Sequence, residues 1–253
     1  IAFGSGLIDL VPPWARESGI DGFLSMLCNE SYRKQIIDDM MNNFSDWENP
    51  LHEIKGNKIR IASLSSEKNR KYEGMSIEEI SEYMNCTPYE AVLNLLMEEK
   101  GAVKSIFHAM CEEDLIRTLK HPRAIFCTDG RAAAPYGELG RGKIHPRYYG
   151  SYPRILGKYV RELKIIDIGD AIKKMTHLPA LKMNIKGRGL LKKGYYADIV
   201  IFDKNRIIDV ATFDDPHRYP DGIVYVIVNG RVSISKGEHT GVFSGRVLKR
   251  QIC

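Results

Sequence analysis

The chain has 253 residues, 43% of them hydrophobic and 27% charged, which is the composition of an ordinary globular protein and excludes disorder, collagen and coiled coil. Thirty-seven Lys and Arg against 32 Asp and Glu leave a net charge of +5, too small a surplus to argue for nucleic acid. No apolar run approaches the roughly 20 residues of a membrane span, so no membrane partner is expected. Five cysteines, at 28, 86, 111, 127 and 253, form no C-x-x-C pair and fit neither a zinc ribbon nor a disulfide framework, so a reducing cytoplasm is the expected location. The chain opens on Ile1 without Met or a signal peptide, which suggests a piece of something longer.

In chain order, apolar residues from Asp21 to about Phe44 recur at helical spacing and predict one or two amphipathic helices. Ile59 to Ile61 alternates like a strand, and a charged loop follows from Glu67 to Glu73. Ser76 with Glu79, and Thr87 with Pro88 and Glu90, mark two helix starts as capping boxes, the second helix ending near Gly101. Val103 to Phe107 and Ala124 to Thr128 are short apolar runs flanking a helix from Glu112 to Leu119, which predicts a βαβ unit with parallel strands. A loop rich in Gly and Pro spans Gly130 to Pro153, with helices expected at Arg154 to Leu163 and from Asp167 to about Met175. Short β runs punctuated by glycine then predict a small antiparallel β unit beyond a boundary near residue 186.

Asp129 follows the second apolar run, at the carboxyl end of the expected strand, where α/β folds place catalytic groups. The same Asp-Gly pair also makes a good turn, and from spacing alone both readings stand. Arg147 could grip a substrate carboxylate or simply be a solvated surface arginine. His108 could face a site at a strand end or be a structural histidine. The seven histidines form no H-x-H, and no Walker-A, G-x-G-x-x-G or G-x-S-x-G pattern is present.

Taken in order, Leu10-Val11-Pro12-Pro13-Trp14-Ala15 after Gly4-Ser5, then Thr128-Asp129-Gly130, His145-Pro146-Arg147-x-Tyr149-Gly150, Pro153-Arg154-x-Leu156-Gly157, Lys174-Met175-Thr176-x-Leu178-Pro179-Ala180 and the Gly-rich tail resemble the carboxyl-terminal half of the N-acyl-D-amino-acid deacylases, a branch of the metal-dependent amidohydrolases. The resemblance implies an α/β fold: the last part of a TIM-like (β/α)8 barrel, its seventh and eighth strands being 103–107 and 124–128, followed by a small antiparallel β domain. Residues 1–102 would be a lid insertion, 103–186 the last barrel strands and helices, and 187–253 the β domain. It further implies zinc as cofactor, Asp129 as metal ligand and proton carrier, and Arg147 and Ser5 as holders of the α-carboxylate of a small N-acyl amino acid. The other zinc ligands of such enzymes have no counterpart here, so the missing amino-terminal half, from the same gene product or a companion chain, is the expected partner. A cyclic-amide hydrolase of the dihydroorotase or hydantoinase kind and a metal-free, non-catalytic barrel fragment are the competing readings.

Overall fold

The computed structural model describes residues 2–42, 47 and 49–249; Phe44, expected to close the first helical stretch, and Cys253 lie outside the described residues. Contacts gather the chain into two units that alternate along the sequence, 1–111 with 136–145 and 213–216, and 112–135 with 146–212 and 217–253.

The first unit carries a three-stranded sheet of β1 (Phe3–Gly6), β2 (Ile59–Ser63) and β3 (Lys104–Phe107) in the order β1-β3-β2. Both pairings are antiparallel, with Ser5 and Ile61 facing Ser105 from either side. Among its described residues the unit also carries the helices α1 (Pro13–Arg16), α2 (Gly19–Leu27), α3 (Glu30–Met41), α4 (Pro50–Ile54), α5 (Ile77–Met84) and α6 (Pro88–Glu98). Both capping boxes form as the sequence predicts, Ser76 with Glu79 opening α5 and Thr87 with Glu90 opening α6. α2 and α3 divide the stretch from Asp21 because Asn29 caps α3, its side chain accepting from the Ser31 and Tyr32 amides. Their apolar residues meet the sheet and α6 in one core that includes Leu7, Phe23, Ile36, Met40, Ile61 and Leu95.

The second unit holds α7 (Glu112–Lys120), α8 (Arg147–Arg154), a π-helical continuation over Ile155–Glu162, α9 (Ile168–Met175) and α10 (His177–Lys182). Its four-stranded antiparallel sheet has the order β4-β5-β6-β7, from β4 (Ile199–Phe202), β5 (Ile223–Val228), β6 (Arg231–Ser235) and β7 (Glu238–His239). The small antiparallel unit expected after residue 186 is therefore present, with β4 at one edge and a register shift between Ile201 and Phe202. Leu119, Phe126, Leu156, Tyr159, Ala171 and Ile207 form this unit's core.

Two expectations are corrected. The run Ala124–Thr128 is not a strand: its Phe126 amide donates to the Lys174 carbonyl at the end of α9 (3.0 Å) instead of to a sheet neighbour. The predicted parallel βαβ unit is accordingly absent among the described residues, and β3 pairs only with antiparallel partners. A short apolar run shows that a segment is buried without showing whether a ladder awaits it. The helix expected from Arg154 begins instead at Arg147, because Pro146, at φ −55°, presets the helical turn. Pro153 lies inside that helix, and the wider π turns follow directly after it.

Candidate active site

Asp129 sits on an irregular segment, Cys127-Thr128-Asp129-Gly130, held from two directions. Behind it, Lys174 is 6% exposed and donates its ammonium to the carbonyls of Leu119 (2.6 Å) and His121 (2.8 Å), tying down the end of α7 and the turn after it. The Tyr152 hydroxyl adds a bond to the Phe126 carbonyl (3.3 Å). Ahead of it, the Gly130 amide donates to the Thr128 hydroxyl (3.2 Å). The chain packs closely at Gly130, where a Cβ would stand 3.1 Å from the Tyr148 Cα and press on it.

Between these anchors Asp129 adopts a left-handed backbone, φ +47°. Such a conformation costs a non-glycine residue roughly 1–2 kcal/mol, least for Asp and Asn, and persists where the surroundings impose it. Arg147, the first residue of α8, meets Asp129 at two points. Its Nη2 lies 2.9 Å from Asp129 Oδ2 and its Nε donates to the Asp129 carbonyl oxygen (3.1 Å). The arginine side chain is 19% exposed and the aspartate side chain 76%, so the cation is seated and the carboxylate is presented. Oδ1 has no partner among the described residues. The Cys127 thiol, two residues earlier, is also exposed.

The structure thus brings Asp129 and Arg147 together within the second unit. Ser5 lies in β1 of the first unit, where its hydroxyl donates to Asp9, which in turn pairs with Arg16 (3.0 Å). His108 follows β3, also in the first unit. Its amide donates to the Lys58 carbonyl (2.9 Å), its ring packs edge-on against Phe213, and its Nε2 is buried without a partner among the described residues. Burial first, and then nearby positive charge that includes Arg60, pushes its pKa down.

Two features beside the site escape a reading of the sequence. Lys174 belongs to the quoted Lys-Met-Thr motif, yet nothing in its neighbours along the chain announces a buried ammonium. The Tyr149 hydroxyl shares a 3.1 Å hydrogen bond with His217 Nδ1, and Tyr149 also meets Tyr219 edge-on. The only sequence signal was the place of Tyr149 in the His145-to-Gly150 motif.

Among the described residues, no three or more His, Cys, Asp or Glu side chains are placed to hold a metal ion, and no helix is long and apolar enough to cross a membrane.

Comparison with known proteins bears on what the Asp129–Arg147 pair belongs to. Residues 137–234 match an amidohydrolase family. The chain is 36% identical over 177 residues to a D-aminoacylase of Alcaligenes xylosoxydans xylosoxydans, which covers 70% of this chain and 34% of that enzyme. A crystal structure of D-aminoacylase superposes with a TM-score of 0.66 at 33% identity, over 76% of this chain and 38% of that one. N-acyl-D-glutamate deacylase of Bordetella bronchiseptica, solved with zinc and a phosphonate inhibitor, superposes with a TM-score of 0.63 at 29% identity, over 78% and 39%. The chain spans about a third of the length of the curated relatives it matches. The resemblance carried by the motifs therefore holds: over most of its length this chain is similar to part of the N-acyl-D-amino-acid deacylases, and residues 137–234 match the amidohydrolase family.

Proposed function

We propose that the protein is part of a zinc-dependent amidohydrolase that cleaves the amide bond of N-acyl-D-amino acids, releasing a carboxylate and a D-amino acid, and that Asp129 is its proton-carrying residue. The observation that carries the reading is the presentation of Asp129 itself: a left-handed backbone, a seated arginine on one carboxylate oxygen, and the other oxygen open. Amide hydrolysis needs a group that takes a proton from the attacking water and returns it to the departing amine, and a positioned carboxylate can do both. Arg147 and Ser5 occupy the motif positions for the substrate's α-carboxylate. Both are engaged with aspartates here, so gripping a substrate would require an exchange of partner.

The Bordetella relative was solved with zinc, and D-aminoacylase has a binuclear metal centre. A zinc site needs at least three protein ligands, and no three candidate ligands gather among the described residues, so by themselves they do not fit the metal. The remaining ligands belong, in this proposal, to another stretch of a TIM-like barrel, supplied by the same gene product or by a companion chain in the cytoplasm. Residues 1–102 would act as its lid segment, 103–186 would close the barrel and 187–253 would be the β domain. The lack of a ligand cluster among the described residues is what favours the metal-free module as the second reading.

One experiment separates the two. Residues 1–253 expressed alone are expected to keep no stoichiometric zinc after dialysis and to leave N-acetyl-D-amino acids intact. Co-expression with the ligand-bearing segment is expected to bring both zinc and turnover. Turnover by the isolated chain with stoichiometric zinc would overturn this division of ligands, and a zinc-free, inactive complex would favour the metal-free module.

A further inference from the structure

We propose that Arg147 is a positioning residue that selects which oxygen of Asp129 does the chemistry, a role distinct from the substrate grip that its motif position implies. The inference rests on the reading of Asp129 as the proton carrier. Its geometry does not.

An arginine that merely balances a charge would meet the carboxylate alone. Arg147 instead spreads its fork over two acceptors of one residue, Nε on the main-chain carbonyl and Nη2 on Oδ2. Two rigid coplanar donors on the backbone and side chain of one residue restrict the rotation of that side chain relative to its own peptide. The fork thereby holds both the left-handed backbone and the carboxylate orientation, with Oδ2 occupied and Oδ1 without a partner among the described residues. The fork is itself anchored, since Arg147 is the first helical residue after Pro146 and its side chain is mostly buried. The guanidinium also lies 5.8 Å from the ring centre of Tyr148, the residue whose backbone abuts Gly130. An ion pair whose carboxylate is exposed contributes little to stability, so the arrangement is better suited to holding a geometry than to strengthening the fold.

Lysine keeps the charge and loses the fork, and glutamine loses both, so the pair of variants separates attraction from geometry. The first readout needs no activity. In residues 1–253, the Asp129 amide should show the HN–Hα coupling and the strong intraresidue HN–Hα contact of a left-handed residue by NMR. Arg147→Lys and Arg147→Gln should both lose that signature while signals of the α5 and α6 caps stay in place. A left-handed Asp129 that survives in both variants would overturn the proposal. The second readout uses the complete, metal-loaded enzyme. Arg147→Lys should lower kcat by roughly 10-fold or more, as expected for a misplaced reacting group, with KM unchanged within about twofold. A raised KM at unaltered kcat would reject positioning in favour of the substrate grip. Full turnover by Asp129→Asn would instead remove the reading of Asp129 as proton carrier and leave the NMR result standing.

Discussion

Replacing Asp129 by Asn in the complete, metal-loaded enzyme is expected to lower kcat by roughly 10²-fold or more, the usual scale for losing a positioned acid–base group. Asn tolerates a left-handed backbone nearly as well as Asp, and its amide oxygen can still accept from Arg147, so the local fold should survive. What it cannot do is take up a proton at pH 7. Asp129→Ala should lose as much activity and some stability besides, because alanine is strained at φ +47°. Equal loss in both variants, with an unchanged melting curve for Asn, would locate the defect in chemistry. Turnover of N-acetyl-D-amino acids at the parent rate by both variants would reduce Asp129 to an ordinary turn residue.

The largest stability effect is expected at Glu99, in the first unit. Its residue is 4% exposed, and its carboxylate, just past the end of α6, accepts from the Ser65 amide (2.7 Å), the Ser66 amide (2.9 Å), the Ser66 hydroxyl and the Asn69 amide group (2.7 Å). Burial pushes its pKa up. The bonds from Ser66, Asn69 and Ser65 outweigh burial and hold the carboxyl below the usual carboxylate range. A negative charge at a helix C-terminus opposes the dipole, so this carboxylate is kept by its donors. Glu99→Gln turns an NH2 group toward N–H and O–H donors and strands at least one of them. A loss of about 3 kcal/mol is expected, given the cost of unsatisfied buried groups and of bonds to a charged acceptor. Because the folded pKa is depressed, Glu99's contribution is present above the unfolded carboxyl pKa of about 4.3 and fades as pH falls through the folded value. Urea titrations followed by tryptophan fluorescence would read it, since Trp14 and Trp47, the chain's two tryptophans, both pack on the first unit's core. The gap between parent and variant should be wide at pH 7 and narrow near pH 3. A gap that is constant across that range would assign the loss to packing instead of charge.

The parts of the fold that could be read from the sequence were those written in local spacing. Ser76 with Glu79 and Thr87 with Glu90 are three residues apart, and both boxes form. The β runs after residue 186 are bounded by glycines and pair as expected. What failed was decided at longer range. Val103–Phe107 and Ala124–Thr128 look alike as short apolar runs, yet the first finds two antiparallel neighbours and the second is tied to the end of α9. Of the site, the motifs marked Asp129 and Arg147 but gave no hint that the two residues bond to each other across 17 intervening positions. The Glu99 anchor joins residues 30 or more positions apart and had no signature at all.

The four-stranded sheet ends on β4, whose sequence Ile-Val-Ile-Phe contains neither lysine nor proline, and whose Val200 and Ile201 are 53% and 46% exposed. An apolar edge of this kind is a template for pairing with another extended chain, and the single register shift at Ile201–Phe202 is the only deterrent its backbone shows. Self-association of the purified protein at high concentration would therefore start here, and a lysine at Val200 is the substitution that would discourage it while sparing the Asp129 loop.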